Sequence, residues 1–305
     1  MSITVRNCKD EGGKPFHVHA MPEQMVSVLL AGNIAKVQYN ARPNYKGGTT
    51  RKIDANHYCD TRSGEVKEFR HNQSRISDPK SVRKTMMRGS NIIRANCTKP
   101  SSWRFLTLTY AQNMTDHKKL YNDFKNFLKR LPSEYKPHKW ISAVEPQKRG
   151  AWHLHVIFVY ESEAPYLDNQ RIATAWKQGF VTIQAVDNVD DLGAYLVAYL
   201  TDVEITEATP TLDNTKIKTL TDEYGLAKRY KKGARLFMYP RGMHIFRHSS
   251  NCTIPQVEYM TSSTARSMVQ NMTMTYESTK IIEDTESGYS TIINTQYYNS
   301  VRRSK

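Results

Sequence analysis

Residues 139–160 read KWISAVEPQKRGAWHLHVIFVY, and the fold turns on how this stretch divides. Lys139–Pro146 and Trp152–Tyr160 are rich in β-branched and aromatic residues, the composition of strands. Between them KRGA holds Gly150, whose backbone freedom suits a tight turn, so the two runs predict an antiparallel hairpin. Successive strand side chains point to opposite sides. His153 and His155 therefore share one face and Leu154 takes the other. With a three-residue loop at 149–151, Glu145 is expected opposite His155, on the histidine face.

Upstream, Arg104–Tyr110 (RFLTLTY) reads as a strand. Thr115 is the expected cap of a helix in which Leu120, Phe124, Phe127, Leu128 and Leu131 recur at helical spacing until Pro132. Downstream, Asp168–Gln178 reads as a helix ending at Gly179, Phe180–Val186 as a strand and Asp187–Thr201 as a helix. The order is β-α-β-β-α-β-α. Its first six elements predict an α+β fold: a ferredoxin-like, RRM-like antiparallel sheet with helices on one face and the histidine pair on a central strand.

This core spans residues 101–205. Residues 1–100 form a basic N-terminal region with a helix at 78–96, and strands are expected at Met25–Ala31 and Ile34–Tyr39. Residues 206–305 form an extension with a basic loop. There the polar stretch to about Asp222 reads as loop, LFMYP and MHIFRHS as a hairpin, and Thr273–Ile282 with Tyr289–Tyr298 as a second one.

Charge narrows the partner. Among 305 residues, 44 Lys and Arg face 29 Asp and Glu, a net charge of +15. The excess lies in the first half: residues 1–150 hold twenty-eight basic against twelve acidic residues. Phosphate backbones attract such a chain. Arg83, Lys84 and Arg88 of the 78–96 helix, and Lys228, Arg229, Lys231, Lys232 and Arg235 of KRYKKGAR, are the candidate DNA contacts. Trp103, Tyr110 and Trp152 could stack unpaired bases, though core packing serves them equally well. A mean hydropathy of −0.65 without a long apolar run excludes a membrane span. The opening residues carry no apolar signal-peptide segment, so the chain is expected to stay in the cytosol. Cys8, Cys59, Cys97 and Cys252 form no CxxC pair, which argues against a cysteine zinc site or a disulfide framework.

Two imidazoles side by side make half of a metal site. Two histidines and Glu145 would leave coordination positions open for water or phosphate oxygens, which suits Mg2+ or Mn2+. His17-Val18-His19 repeats the pattern, but no hairpin is expected to offer it a carboxylate. Tyr195 and Tyr199 stand at i and i+4, stacked on one helix face. They read either as core tyrosines or as nucleophiles. A phenol of pKa about 10 attacks a phosphodiester only with help from a metal or a base.

FLTLTY (Phe105–Tyr110), HLHVIF (His153–Phe158) and YLVAY (Tyr195–Tyr199) stand in the order of the three motifs of HUH replication initiators, and the chain resembles these rolling-circle Rep endonucleases. The resemblance covers roughly residues 80–250. It implies a metal held by His153, His155 and Glu145, attack by a tyrosine, a 5′-phosphotyrosine and a free 3′-OH. It favours Tyr199 as first nucleophile, with Tyr195 as the alternative. Many members carry a lysine three residues after a tyrosine, where this chain has Ala198 and Asp202. The implied partners are single-stranded or origin DNA, with a host helicase and DNA polymerase, in the cytoplasm of a bacterial host and away from membranes. No Walker A sequence supplies a helicase domain. Alternatives are a non-catalytic ferredoxin-like binder of single-stranded nucleic acid, or another HUH enzyme, a transposase or relaxase.

Overall fold

The computed structural model describes residues 3–43, 50–69, 79–147, 150–184, 203–204, 217–221, 227–231, 239–240, 242–285 and 288–301. The chain forms two compact units, Asn72–Ile254 and a second assembled from Met1–His71 with Pro255–Lys305. This groups the residues differently from a three-part division along the sequence.

The terminal unit begins with β1 (Ile3–Asn7), β2 (Met25–Ala31) and β3 (Ile34–Asn40). It continues with β4 (Thr50–Lys52), β5 (His57–Asp60) and β6 (Val66–Glu68), which form a small antiparallel sheet. The central unit contains α1 (Pro79–Asn96), β7 (Trp103–Thr109), α2 (His117–Arg130), β8 (Lys139–Pro146) and β9 (Trp152–Val159). It goes on through α3 (Asn169–Trp176), β10 (Val181–Gln184), β11 (Val203–Glu204), β12 (Ile217–Thr221), β13 (Ala227–Lys231) and β14 (Phe246–His248). The terminal unit then resumes with β15 (Val257–Thr261), α4 (Ser262–Val269), β16 (Thr273–Asp284) and β17 (Tyr289–Asn299).

The central sheet is antiparallel, in the order β10-β7-β9-β8-β14, so the histidine strand β9 is its middle strand. α2 joins β7 to β8 and leaves a gap that β9 fills; α3 joins β9 to β10 and leaves a gap that β7 fills. The fold is α+β. α2 buries Leu120, Phe124 and Phe127, and α3 buries Ile172, Ala175 and Trp176, against Leu106, Leu108, Leu154, Val156 and Phe158 of the sheet. The cap of α2 is Asp116 rather than Thr115: its carboxylate accepts from the Lys118 and Lys119 amides at 2.8 and 3.3 Å. A carboxylate there also meets the positive end of the helix dipole. Leu131 precedes Pro132, which disfavours helical backbone, and the helix stops.

The expectation of helices on one face is extended by α1. Its Ile92 and Ile93 pack with Trp103, Phe105, Ile141, Ile157 and Val159, the alternate residues of β7, β8 and β9. The central sheet is therefore covered on both sides. Within MHIFRHS, expected to form a hairpin with LFMYP, Phe246–His248 adds β14 to the edge of β8, pairing Phe246 with Ala143. Of LFMYP only the last two residues are among those described. The stretch expected as loop after Thr201 contains β11 and β12, which flank β13. The helix expected at 187–201 lies outside the described residues.

Two glycines mark close approaches. A Cβ on Gly179, at φ +154, would meet the Thr109 carbonyl at 2.5 Å and the Ala111 amide at 2.4 Å, which fixes the turn from α3 into β10. A Cβ on Gly89 would sit 2.6 Å from the Phe246 ring, so α1 lies on β14 where only hydrogen fits.

The terminal unit has the strand order β1-β16-β17-β3-β2-β15. The hairpin expected at Thr273–Tyr298 is present as β16 and β17. Its core gathers Val26, Val28, Ala35 and Val37 under Ala265 and Val269 of α4. No described helix is long and apolar enough to cross a membrane.

Gly89→Ala raises helix propensity yet clashes with Phe246, and the clash should win. We expect a loss of about 1–3 kcal/mol. Urea unfolding checks this against Lys84→Ala, an exposed control on the same helix; equal stability of the two variants would refute the close packing of α1.

Candidate metal and nucleophile site

β9 must bury Leu154, Val156 and Phe158 beneath α2 and α3, so strand alternation places His153 and His155 on the opposite face. Its start is anchored by Trp152, whose amide donates to the Met114 carbonyl at 3.0 Å and whose indole donates to the Thr115 carbonyl at 2.7 Å. β8 is tied by the Tyr239 hydroxyl, which donates to the Val144 carbonyl at 2.8 Å.

The hairpin closes one residue earlier than expected. Gln147 pairs with Ala151, the Gly150 amide donates to Gln147, and Gly150 takes φ +87. This moves the register by two, so Glu145 lies opposite His153 and Ala143 opposite His155. A shift of two keeps the face, and Glu145 still shares it with both histidines. Its Oε2 reaches diagonally to His155 Nε2 at 2.5 Å. His155 and Glu145 are each 8% exposed, while His153 is half-buried.

His155 is held on every side. The Thr107 hydroxyl, on the cross-strand partner in β7, lies 3.1 Å from Nδ1. The Phe105 ring stacks on the imidazole with centroids 5.5 Å apart and planes at 11°. Burial lowers its pKa to about 4, so the imidazole is neutral near pH 7. Its contact with Glu145 then holds one proton between ring and carboxyl group. The hydroxyl of Thr107 can donate to Nδ1 or accept from it, so it supports either tautomer.

The His153 and His155 rings are 6.4 Å apart at 82°. Among the described residues no three His, Cys, Asp or Glu side chains surround a common point as a bound cation requires. The donor chemistry nonetheless fits a divalent cation: two imidazoles and one carboxylate on a single face, with the Glu145–His155 contact where a proton and a cation would compete.

The other expected residues separate. Arg83, Lys84 and Arg88 are exposed on α1, opposite its buried Val82, Met86, Ile92 and Ile93. Lys228, Arg229 and Lys231 lie on β13. Lys232, Arg235, Tyr195 and Tyr199 lie outside the described residues. Trp103, Tyr110 and Trp152 are 2–3% exposed and belong to the core, so they are not base-stacking platforms. The Tyr110 hydroxyl donates to Asp123 at 2.9 Å, and burial raises its pKa. His17-Val18-His19 does meet a carboxylate, against expectation: Glu277 of β16 lies 2.7 Å from His19 Nε2 and accepts from Asn294 and Gln296.

Thr107 and Phe105 are the site residues that motif reading passed over. The signal was available, because alternation in FLTLT sets Phe105, Thr107 and Thr109 on one face, against Leu106 and Leu108. Thr107→Val keeps the shape and removes the hydroxyl. We expect about 1–2 kcal/mol of lost stability and a displaced His155 Nδ1 resonance by NMR. Thr107→Ser should restore both, and an unmoved resonance in the valine variant would refute the hydrogen bond.

No curated protein and no solved structure gives a significant match to this chain. A family model does match part of it. The matched segment runs from β7 to β11 and contains Glu145, His153, His155 and both candidate tyrosines. These residues, 103–204, about a third of the chain, are similar to the family of the replication-associated protein ORF2.

Proposed function

We propose that this chain initiates rolling-circle replication by nicking and rejoining single-stranded DNA through a tyrosine. The observation that carries the reading is Glu145 on the face of His153 and His155, at the centre of a sheet within the replication-associated match.

His153, His155 and Glu145 would hold Mg2+ or Mn2+, and such an ion when bound supplies Lewis acidity toward a phosphate oxygen. Thr107 and Phe105 orient His155, and burial keeps its imidazole neutral and ready to donate a lone pair. Tyr199, with Tyr195 as the alternative, is the nucleophile. Its oxygen bonds to phosphorus as it loses its proton, the bond from phosphorus to the 3′ oxygen breaks, and that oxygen takes up a proton. The products are a 5′-phosphotyrosine and a 3′-OH that can prime synthesis. The phosphoester bond is exchanged rather than lost, so rejoining needs no nucleotide. A second tyrosine would let cleavage and joining alternate. Arg83, Lys84 and Arg88 are the proposed backbone contacts on α1, and Lys228, Arg229, Lys231, Lys232 and Arg235 those of the KRYKKGAR segment. The site of action is the host cytoplasm, beside a host helicase and polymerase.

The rival reading, a non-catalytic binder of single strands, accounts for the charge but gives no role to Glu145 on the face of His153 and His155.

Labelled single-stranded origin DNA incubated with Mn2+ should give an adduct that survives SDS. EDTA and His155→Ala should each abolish it with circular dichroism unchanged. Full cleavage in EDTA would overturn the metal assignment, and an adduct with Tyr195→Phe/Tyr199→Phe would overturn the nucleophile.

Binding should separate from cleavage. The sixteen excess positive charges of residues 1–150 make nonspecific affinity fall steeply with salt. The double phenylalanine variant should retain both the affinity and its salt slope. Loss of binding in that variant would assign the tyrosines to structure.

A further inference from the structure

The large sheet of the terminal unit has two unlike faces. One carries the Val26, Val28 and Val37 core beneath α4. On the other, the register aligns a row across five strands: Tyr276, Tyr297, Lys36, Leu29 and Val257. The next row is Ser278, Thr295, Gln38, Ser27 and Tyr259, and the third holds Lys280, Ile293 and Asn40. Tyr276 is 52% exposed and Tyr259 73%, and the Tyr276 and Tyr297 rings stand 6.0 Å apart.

The charge on the two faces is sorted. The three rows contain two lysines and no carboxylate; the nearest acid of the same parity, Asp284, lies two rows beyond Lys280 at the end of β16. Glu258, Glu277 and Glu283 all have the opposite parity, and Glu277 is engaged there by His19, Asn294 and Gln296. Rows with exposed tyrosines, two lysines and no acid suit a polyanion with apolar flat groups. In a duplex the base faces are occupied by stacking, so rings on a sheet can engage them only in a single strand.

We propose that this face holds single-stranded DNA, with bases stacked on Tyr276, Tyr297 and Tyr259 and phosphates drawn by Lys36 and Lys280. Tyr297 and Tyr259 are three strand spacings apart, about 14 Å, so the platform accepts more than one nucleotide. The proposal rests on the reading above for the choice of DNA, and it assigns the terminal unit the task of retaining a strand that the central unit cuts.

The test uses the full chain and an oligothymidylate probe. Tyr259→Ala/Tyr276→Ala/Tyr297→Ala should weaken anisotropy-measured affinity about tenfold or more. The matching triple phenylalanine variant should bind like wild type, and a duplex probe should bind both variants alike. In wild-type protein the oligothymidylate should protect Tyr259 and Tyr276 from nitration, read by mass spectrometry, which tests the face without any substitution. Unprotected tyrosines, or unchanged affinity in the alanine variant, would overturn the proposal. So would protection brought about by self-association alone, seen by sedimentation without DNA. Protection in a chain that forms no covalent adduct would leave this face standing and remove the endonuclease reading. Adduct formation with unprotected tyrosines would do the reverse.

Discussion

Everything at the candidate site depends on the register between β8 and β9. Leu154, Val156 and Phe158 are buried beneath α2 and α3, and this obliges His153 and His155 to face the other way. A slip of one residue in β9 would exchange the two sets, driving imidazoles into the aromatic core and leucine toward Glu145. The chemistry is thus held by packing on the far side of the sheet. Trp152 clamps the start of the strand through two main-chain carbonyls, and β7 supplies Thr107 and Phe105 from the neighbouring position.

Much of this was legible from short patterns. Alternation in HLHVIF and FLTLTY located two strands of the central sheet, and Pro132 ended α2 where the chain does. What escaped has physical reasons. Thr115 and Asp116 are both competent caps, and only the backbone path decides between them. The turn after Glu145 could close at either of two positions of the same length, with the same face exposed in both. The pairing of β14 with β8 was not legible, because a three-residue edge strand takes its partner from tertiary position, and Phe246 finds Ala143 across a hundred residues.

The histidine pair at residues 17–19 carries a further lesson. Local sequence offered no carboxylate nearby, yet β16 brings Glu277 to His19 from more than 250 residues away. There the carboxylate is already satisfied by two side-chain amides, and the arrangement is a polar brace of the sheet. Proximity of His and Glu therefore does not distinguish the two places. The distinction is burial and the stacked ring at Phe105.

The terminal unit is built from both flanks of the central one, with Ile3 paired to Asp284. During synthesis β1, β2 and β3 emerge early and lack three of their sheet neighbours until the chain past residue 255 has been made. The central unit is continuous in sequence, and its elements can collapse as they leave the ribosome. The order of synthesis is then fixed by connectivity: the histidine hairpin is complete in sequence before the sheet of the terminal unit can close, and the early strands wait with open edges.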